Sequence, residues 1–182
     1  MPSLKLGKPA PNFTLQSVEG EEVLLKDITK SNQKILLVFI RHLGWLLCRE
    51  HVAQLCQHKN KLDELNTRVI IISFSTLPAV QDWLDQTCSK FTVLLDPDRK
   101  VYKAYHLDRS FLRAYHPKTL WFYTKVILSG GKMLDSHGDD TTQLGGDFII
   151  DEEGNFSFIY PSENSSDRPP VEDLLAFLSE LS

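Results

Sequence analysis

The sequence contains little cysteine and no Cys-x-x-Cys pair. Its three cysteines are Cys48, Cys56 and Cys88. An odd, low count of this kind argues against a framework of structural disulfides. The missing close pair also excludes a zinc ribbon. The three thiols are therefore predicted to be core residues or reactive groups.

Long apolar runs and long basic runs are missing as well. The longest apolar run, Ile35–Ile40, is far shorter than the roughly 20 residues that cross a bilayer. The net charge is −4, which argues against nucleic acid as the main partner. No signal peptide is recognised at the start of the sequence, because Met1–Lys5 is followed by no apolar stretch. We therefore expect a cytoplasmic location and no membrane span.

The length of 182 residues fits one domain with a real core. We predict a single domain over 1–182 in which four segments can be distinguished. They are an amino-terminal extension (1–30), a helical or loop insert (about 108–144), a β-hairpin (147–160) and a carboxyl-terminal helix (169–182).

Apolar strands alternate with amphipathic helices along most of the chain. Ile35–Ile40 is a continuous apolar run, typical of a strand that is covered on both faces. Val69–Phe74, which is rich in β-branched residues, and Phe91–Leu95 are predicted to be the next strands. Between the first two runs, one helical stripe is formed by Cys48, Val52, Leu55, Cys56 and Leu62. This order predicts an α/β fold with a mixed central sheet flanked by helices, on the thioredoxin-like plan.

Local signals predict where helices and turns begin. Ser75 or Thr76 is expected to cap the next helix, and Asp96-Pro97 is expected to start a short one. The run Asp151–Asn155 predicts a hairpin turn with Gly154 at positive φ. His51 and His58 lie seven positions apart on a helix, and we interpret both as solvated or capping residues rather than metal ligands.

The turn before Cys48 has the features of a reaction centre. Cys48 follows an apolar strand near the start of a helix, where unpaired N–H groups carry partial positive charge. That charge favours the thiolate, which is the nucleophilic form of cysteine. Arg41 and His42 precede the turn and are candidates to add positive potential, although both could equally well only end the strand.

The motif around this turn resembles that of a known family. Phe39–His42, then Gly44, then Cys48–Glu50 is similar to the peroxiredoxin-like 2 group of the AhpC/TSA superfamily, which includes selenoprotein U relatives. Further stretches carry the same resemblance, namely Gly7–Phe13, Asp96–Arg99 with Tyr102, and Gly145–Asp151 with Gly154. The resemblance implies a thioredoxin-like domain of the peroxiredoxin type.

The resemblance also implies a redox reaction at positions 45 and 48. In that family the first position, a cysteine or selenocysteine, attacks a peroxide or disulfide, and the second resolves the product. A thioredoxin- or glutathione-type donor then restores the reduced form. No metal and no organic cofactor is implied.

This chain departs from the family pattern at its first reactive position, where it has Trp45. Three explanations stay open. In the first, Trp45 stands for a UGA codon that encodes selenocysteine. In the second, the reactive group has been lost and the chain is a pseudo-enzyme, and in the third, Cys48 acts alone. As written, the chain is predicted to have little peroxidase activity.

A binding or regulatory module without turnover is the alternative function. Trp45 would then act as an exposed aromatic anchor.

The other two cysteines are predicted to have no redox role, since Cys56 fits a core position and Cys88 the end of a helix. A Cys48–Cys56 bridge is excluded, because eight helical residues separate their Cα atoms by about 12 Å and a disulfide needs less than about 7 Å.

Overall fold

Within the described part of the chain, seven strands form one sheet. The computed structural model describes residues 4–44, 46–87, 90–114, 117, 121, 124–125, 128 and 138–181. The strands are β1 (Thr14–Ser17), β2 (Glu22–Leu24), β3 (Lys34–Phe39), β4 (Thr67–Ser73), β5 (Thr92–Leu95), β6 (Gly146–Ile150) and β7 (Phe156–Pro161).

Helices connect most of these strands. Those whose bounds the structure gives are α1 (Leu25–Thr29), α2 (Leu46–Gln57), α3 (Lys59–Glu64), α4 (Leu77–Gln86), α5 (Lys100–Ala104), α6 (Phe111–Ala114) and α7 (Val171–Glu180). Among the described helices, none combines the length and apolarity that a membrane span requires. Much of the predicted insert at about 108–144 lies outside the described residues.

The strand order in the sheet is β2-β1-β5-β4-β3-β6-β7. β3, β4 and β5 are parallel, whereas β6 pairs with β3 in the antiparallel sense and β7 pairs with β6 in the same way. Parallel neighbours need a crossover connection, and α2 with α3 and then α4 supply it. The mixed sheet predicted from the sequence is thus confirmed.

The core consists of two layers, one on each face of the sheet, because side chains alternate along a strand. Leu36 and Val38 of β3 point into the layer formed with α2, α4 and α7, which we call the thiol-side layer. Leu37 and Phe39 point into the opposite layer, which we call the aromatic layer. There the ring of Phe39 lies 5.1 Å from that of Tyr102 and 5.0 Å from that of Tyr105.

The helix predicted to run from Cys48 to Leu62 is divided in the structure. α2 ends at Gln57 and α3 begins at Lys59. The N–H of His58 is shared between the carbonyls of Gln54 and Leu55, both at 3.1 Å, so the ladder is irregular at this point. Leu62 nevertheless stays fully buried. The apolar stripe therefore predicts burial correctly and the helix boundary incorrectly.

The helix predicted to start at Asp96-Pro97 begins later, at Lys100. Asp96 still acts as the cap, since its carboxylate accepts the N–H groups of Lys100, Val101 and Tyr102 at 3.0, 2.8 and 3.1 Å. The chain reaches the helix through Arg99, which has a φ of 55°. A carboxylate can thus bind the first N–H groups from four residues upstream.

Two other local predictions have different outcomes. Thr76 is the N-cap residue of α4 but makes no side-chain cap hydrogen bond. Gly154 has a φ of 86°, which confirms the predicted hairpin turn, and its N–H donates to the carbonyl of Asp151 at 3.0 Å. The sequence pattern does not predict β1, since the segment around it indicates extended chain only.

Candidate functional site

Cys48 is the third residue of α2, which begins directly after the β3 strand and its turn. Its side chain points into the thiol-side layer and is 2% exposed. It is a free cysteine. The structure therefore places a buried thiol in the first turn of a twelve-residue helix, where N–H groups without intrahelical partners contribute positive potential.

Arg168, just before α7, brings a positive charge to this thiol. Its Nη2 lies 3.5 Å from Sγ of Cys48 and donates to the carbonyl of Phe39 at 2.6 Å. Its Nη1 donates to Oδ2 of Asp147 at 2.8 Å. The side chain is 7% exposed. Cys48 and Asp147 thus share one guanidinium as their hydrogen-bond partner.

Asp147 and His51 complete a buried network behind Arg168. Asp147 is the second residue of β6 and is fully buried, and its Oδ1 accepts a hydrogen bond from Nε2 of His51 at 2.9 Å. His51 lies one turn after Cys48 on α2 and is 5% exposed. The interpretation of His51 as a solvated or capping residue is therefore wrong, because its ring faces a carboxylate inside the fold.

The charges in this network support one another. Burial raises the pKa of Asp147, but the charge of Arg168 and the contact with His51 outweigh it and hold that pKa below its usual value. Burial lowers the pKa of Arg168, while Asp147 and Cys48 raise it to a net value above the ordinary one. Asp147 therefore stays anionic and Arg168 cationic over the whole physiological pH range.

Arg41 is 2% exposed and binds backbone carbonyls. Its Nε donates to Gln143 at 3.0 Å, its Nη2 to Thr141 at 3.1 Å and its Nη1 to Ser165 at 3.2 Å. These bonds join the end of β3 to the segment before β6 and to the loop before α7. Arg41 thereby holds two segments together next to the site.

His42 is 6% exposed, and burial together with the charge of Arg41 lowers its pKa to about 4. It is therefore neutral near pH 7 and adds no positive charge to the turn. Of the two residues expected to supply positive potential, Arg41 carries a charge and His42 does not. The part that either residue plays in a reaction stays a prediction.

The lowered pKa of His42 predicts a pH-dependent stability. Between pH 6.5 and about pH 4 the unfolded chain protonates His42 while the folded chain does not, so stability should fall as the pH falls through this window. We expect H42Q to reduce this loss by about 1–3 kcal/mol. Urea unfolding at several pH values measures the free energy of unfolding, and H58Q is the matched control. If H42Q shows the same pH dependence as the wild type, His42 is not its cause.

Residues from other segments hold the turn between β3 and α2 in place. Oδ2 of Asp139 accepts the N–H of Leu43 at 3.2 Å and the hydroxyl of Ser75 at 2.5 Å. The hydroxyl of Tyr102 lies 2.5 Å from the carbonyl of Ile40, to which it can donate, and 2.8 Å from that of Ile72. The backbone that leads to Cys48 is therefore held by Asp139 on one side and by Tyr102 of the aromatic layer on the other.

Gly145, directly before β6, allows the segments of the site to approach closely. A Cβ at this position would collide with the carbonyl oxygen of Phe39 and would lie 2.8 Å from Nη2 of Arg168. Only glycine leaves that space to the guanidinium. The glycine of the family motif is thus explained by the path of Arg168 towards Cys48.

Trp45 and Cys88 lie outside the described residues. Cys56 is buried, as its place on the apolar stripe predicts, but it is also disulfide-bonded, so it is not a plain core residue. Within the described ranges, no group of three or more His, Cys, Asp or Glu side chains is arranged to hold a metal ion.

Sequence reasoning finds Cys48 but not the residues around it. Arg168 follows a polar loop and precedes Pro169-Pro170, and nothing in that local pattern indicates a buried cation. The sequence singles out Asp147 only as a member of the Gly145–Asp151 motif. A usable signal is a charged residue inside the otherwise apolar run of β6, which must find a partner when it is buried.

Comparison with curated proteins gives relatives of moderate similarity. The chain is 26% identical over 166 residues to the "Thioredoxin-like protein AAED1, chloroplastic" of Arabidopsis thaliana, covering 87% of this chain and 66% of that protein. It is 28% identical over 172 residues to the "Peroxiredoxin-like 2C" of Bos taurus, covering 86% and 72%. The chain thus spans about two thirds of the length of these relatives. Since one of them is named as chloroplastic, a cytoplasmic location stays a prediction.

Comparison with solved structures agrees on the fold. The peroxidoxin BcpB of Mycobacterium tuberculosis matches with a TM-score of 0.73 at 15% identity, covering 99% of both chains. The mitochondrial 2-Cys peroxiredoxin of Plasmodium falciparum matches with a TM-score of 0.68 at 17% identity, covering 97% of this chain and 94% of that one. Both likenesses show a peroxiredoxin-type thioredoxin fold.

The family assignment rests on a match that spans most of the chain. The AhpC/TSA family matches residues 6–158, which include Cys48, His51 and Asp147. Family and fold together support a redox oxidoreductase role. This chain is a peroxiredoxin-like protein with a thioredoxin fold and belongs to the AhpC/TSA family.

Proposed function

We propose that this chain is a thiol-dependent oxidoreductase that reduces peroxides or disulfides at positions 45 and 48, and that Trp45 keeps its activity low. The observation that carries the proposal is the 3.5 Å distance from Nη2 of Arg168 to Sγ of Cys48. A buried cation held against a thiol by a buried carboxylate serves no packing purpose, because an apolar group would fill the same space without a desolvation penalty.

The reaction needs a chalcogen nucleophile at position 45. Its thiolate or selenolate attacks one oxygen of a peroxide ROOH, the O–O bond breaks, and the alkoxide leaves as ROH after taking a proton. Cys48 then attacks the resulting sulfenic or selenenic acid, forms the S–S or Se–S bond and releases water. A dithiol of the thioredoxin type, or two glutathione molecules, supplies the two electrons that restore the starting state.

In this scheme Arg168 prepares Cys48 for the second step. The resolving sulfur attacks as the thiolate, and the guanidinium 3.5 Å away stabilises that anion. Asp147 fixes the guanidinium, and His51 fixes Asp147. As the chain is written, Trp45 cannot perform the first step, so only the prepared Cys48 remains for chemistry.

We expect Arg168→Gln to slow the alkylation of Cys48 in the folded protein by about tenfold, because the thiolate loses its neighbouring cation. Arg168→Lys keeps the charge and should restore much of the rate. The measurement is labelling with a small methanethiosulfonate reagent, quantified on the tryptic peptide 42–49, which holds Cys48 as its one cysteine. Arg109→Gln, which alters an exposed arginine, is the matched control.

Melting curves recorded with each variant establish that the labelled protein is folded. If Cys48 is alkylated at the same rate in Arg168→Gln and in the wild type, Arg168 does not prepare the thiol. An inert Cys48 in all variants would favour the alternative, a non-catalytic binding module on the same fold. The 2% exposure of Cys48 is the observation that keeps this alternative open.

A further inference from the structure

The loop between β7 and α7, residues 162–167, leads directly to Arg168. This loop contains neither helix nor strand, so contacts with other segments must fix its conformation. Because the guanidinium of Arg168 lies against Cys48, the path of the loop determines where that cation sits relative to the thiol.

The short helix α6 holds this loop through two neighbouring residues. Nε of Arg113 donates to the carbonyl of Glu163 at 2.7 Å, and its Nη2 donates to the carbonyl of Ser162 at 3.1 Å. The hydroxyl of Ser165, which is buried, donates to the carbonyl of Ala114 at 2.6 Å. The loop is therefore attached to α6 at three points.

A carboxylate inside the loop connects these attachments to Arg168. Oδ2 of Asp167 accepts the N–H of Glu163 at 2.7 Å, and its Oδ1 accepts the hydroxyl of Tyr160 at 2.6 Å. Glu163 is thus held on both sides, since its N–H goes to Asp167 and its carbonyl to Arg113. Asp167 immediately precedes Arg168, so a continuous series of bonds joins the two arginines.

We propose that Arg113 is a positioning residue for the thiol site, because it fixes the loop of residues 162–167 and thereby the guanidinium of Arg168. An arginine suits this role, since its planar fork of donors reaches two consecutive carbonyls at once. The proposal deepens the function proposed above and rests on it, because it requires that Arg168 prepares Cys48.

The exposed position of Arg113 makes the proposal testable without unfolding the protein. We expect Arg113→Ala to slow the labelling of Cys48 by about threefold, because the remaining attachment at Ser165 keeps the loop partly in place. Labelling is quantified on the tryptic peptide 42–49 with the methanethiosulfonate reagent, and melting curves establish that each variant is folded.

The sign of the change separates positioning from a merely structural role. Cys48 is 2% exposed, so a variant that only loosened the loop would uncover the thiol and speed its labelling. Arg109→Ala is the matched control, since Arg109 lies in the same segment as Arg113 but pairs with Asp140, and it should leave the rate unchanged.

A double variant tests whether Arg113 acts through Arg168. In the Arg168→Gln background the guanidinium is gone, so adding Arg113→Ala should change the rate by less than about 1.5-fold. Ser165→Ala removes the other attachment to α6 and should slow labelling in the same direction. Arg113→Lys retains a donor for one of the two carbonyls and should restore part of the rate.

Three outcomes would overturn the proposal. The first is labelling of folded Arg113→Ala at or above the wild-type rate, and the second is an equal slowing in the presence and absence of Arg168. The third is an unchanged rate in Arg168→Gln, which would also overturn the function proposed for Cys48. If Arg168→Gln slows labelling and Arg113→Ala does not, the positioning role alone is wrong.

Discussion

Replacing Trp45 by cysteine is expected to raise peroxide turnover by at least about 100-fold, since loss of a covalent nucleophile usually reduces turnover by several orders of magnitude. The substitution restores a Cys-x-x-Cys pair whose second member, Cys48, already lies beside Arg168. The measurement is consumption of hydrogen peroxide with a thioredoxin-type or dithiothreitol reductant. Formation of a disulfide between the introduced cysteine and Cys48 after one equivalent of peroxide would report the resolving step.

Two control variants isolate the cause of the gain. Trp45→Ser removes the same aromatic ring without adding a nucleophile of comparable strength and should stay inactive. Without reductant, Trp45→Cys combined with Cys48→Ser should consume one equivalent of peroxide and accumulate as the sulfenic acid. No gain in Trp45→Cys, with a normal melting curve, would contradict the redox assignment of positions 45 and 48.

The gene sequence bears on the same question. A UGA codon at position 45 would identify the natural residue as selenocysteine and Trp45 as a reading of that codon. A tryptophan codon would leave natural loss of the nucleophile, or use of Cys48 alone, as the explanations. Mass measurement of the protein from its own source distinguishes selenium from an indole ring independently of activity.

Asp147→Ala is expected to lower the free energy of unfolding by about 3–5 kcal/mol, because it leaves a buried cation without its partner. The guanidinium of Arg168 would lose its carboxylate, and His51 would lose its hydrogen-bond acceptor. At roughly 2–4 °C per kcal/mol for a chain of this length, the melting temperature should fall by about 10 °C. Thermal unfolding followed by circular dichroism measures the change.

The matched control is Asp63→Ala, which removes an exposed carboxylate paired with Lys59 and should change stability by less than about 0.5 kcal/mol. Acid should also affect the wild type through Asp147. Its pKa is held low in the folded state, so its contribution is present above the unfolded-state pKa of about 3.9 and is lost as the pH falls further. Equal melting temperatures for Asp147→Ala and the wild type would contradict the charge network.

The fold is largely predictable because it depends on local patterns. The continuous apolar run of Ile35–Ile40 needs cover on both faces, and all six residues of β3 are buried. The stripe through Cys48 and Val52 predicts which side of α2 faces the sheet. Element boundaries are less predictable, since the cap of α5 acts from Asp96, four residues before the helix begins.

The candidate site is predictable only in part, because its charges come from distant segments. Cys48 can be found from its place after a strand, but Arg168 lies 120 positions further along the chain. The surroundings of His51 escape sequence reasoning because a single polar residue on a helix does not reveal a carboxylate on another strand. The disulfide at Cys56 also escapes it, because a cysteine on an apolar stripe fits a core position equally well.

The absence of a side chain at Gly145 limits how this chain can diverge. The space that a Cβ would need is occupied by the carbonyl of Phe39 and the guanidinium of Arg168. A library of variants selected for folded protein should therefore retain glycine at this position even when the selection ignores activity. Substitutions at His51 or Asp147 would change the charges near the Cys48 thiol. Any side chain at position 145 would instead displace the backbone of Phe39 and the guanidinium of Arg168.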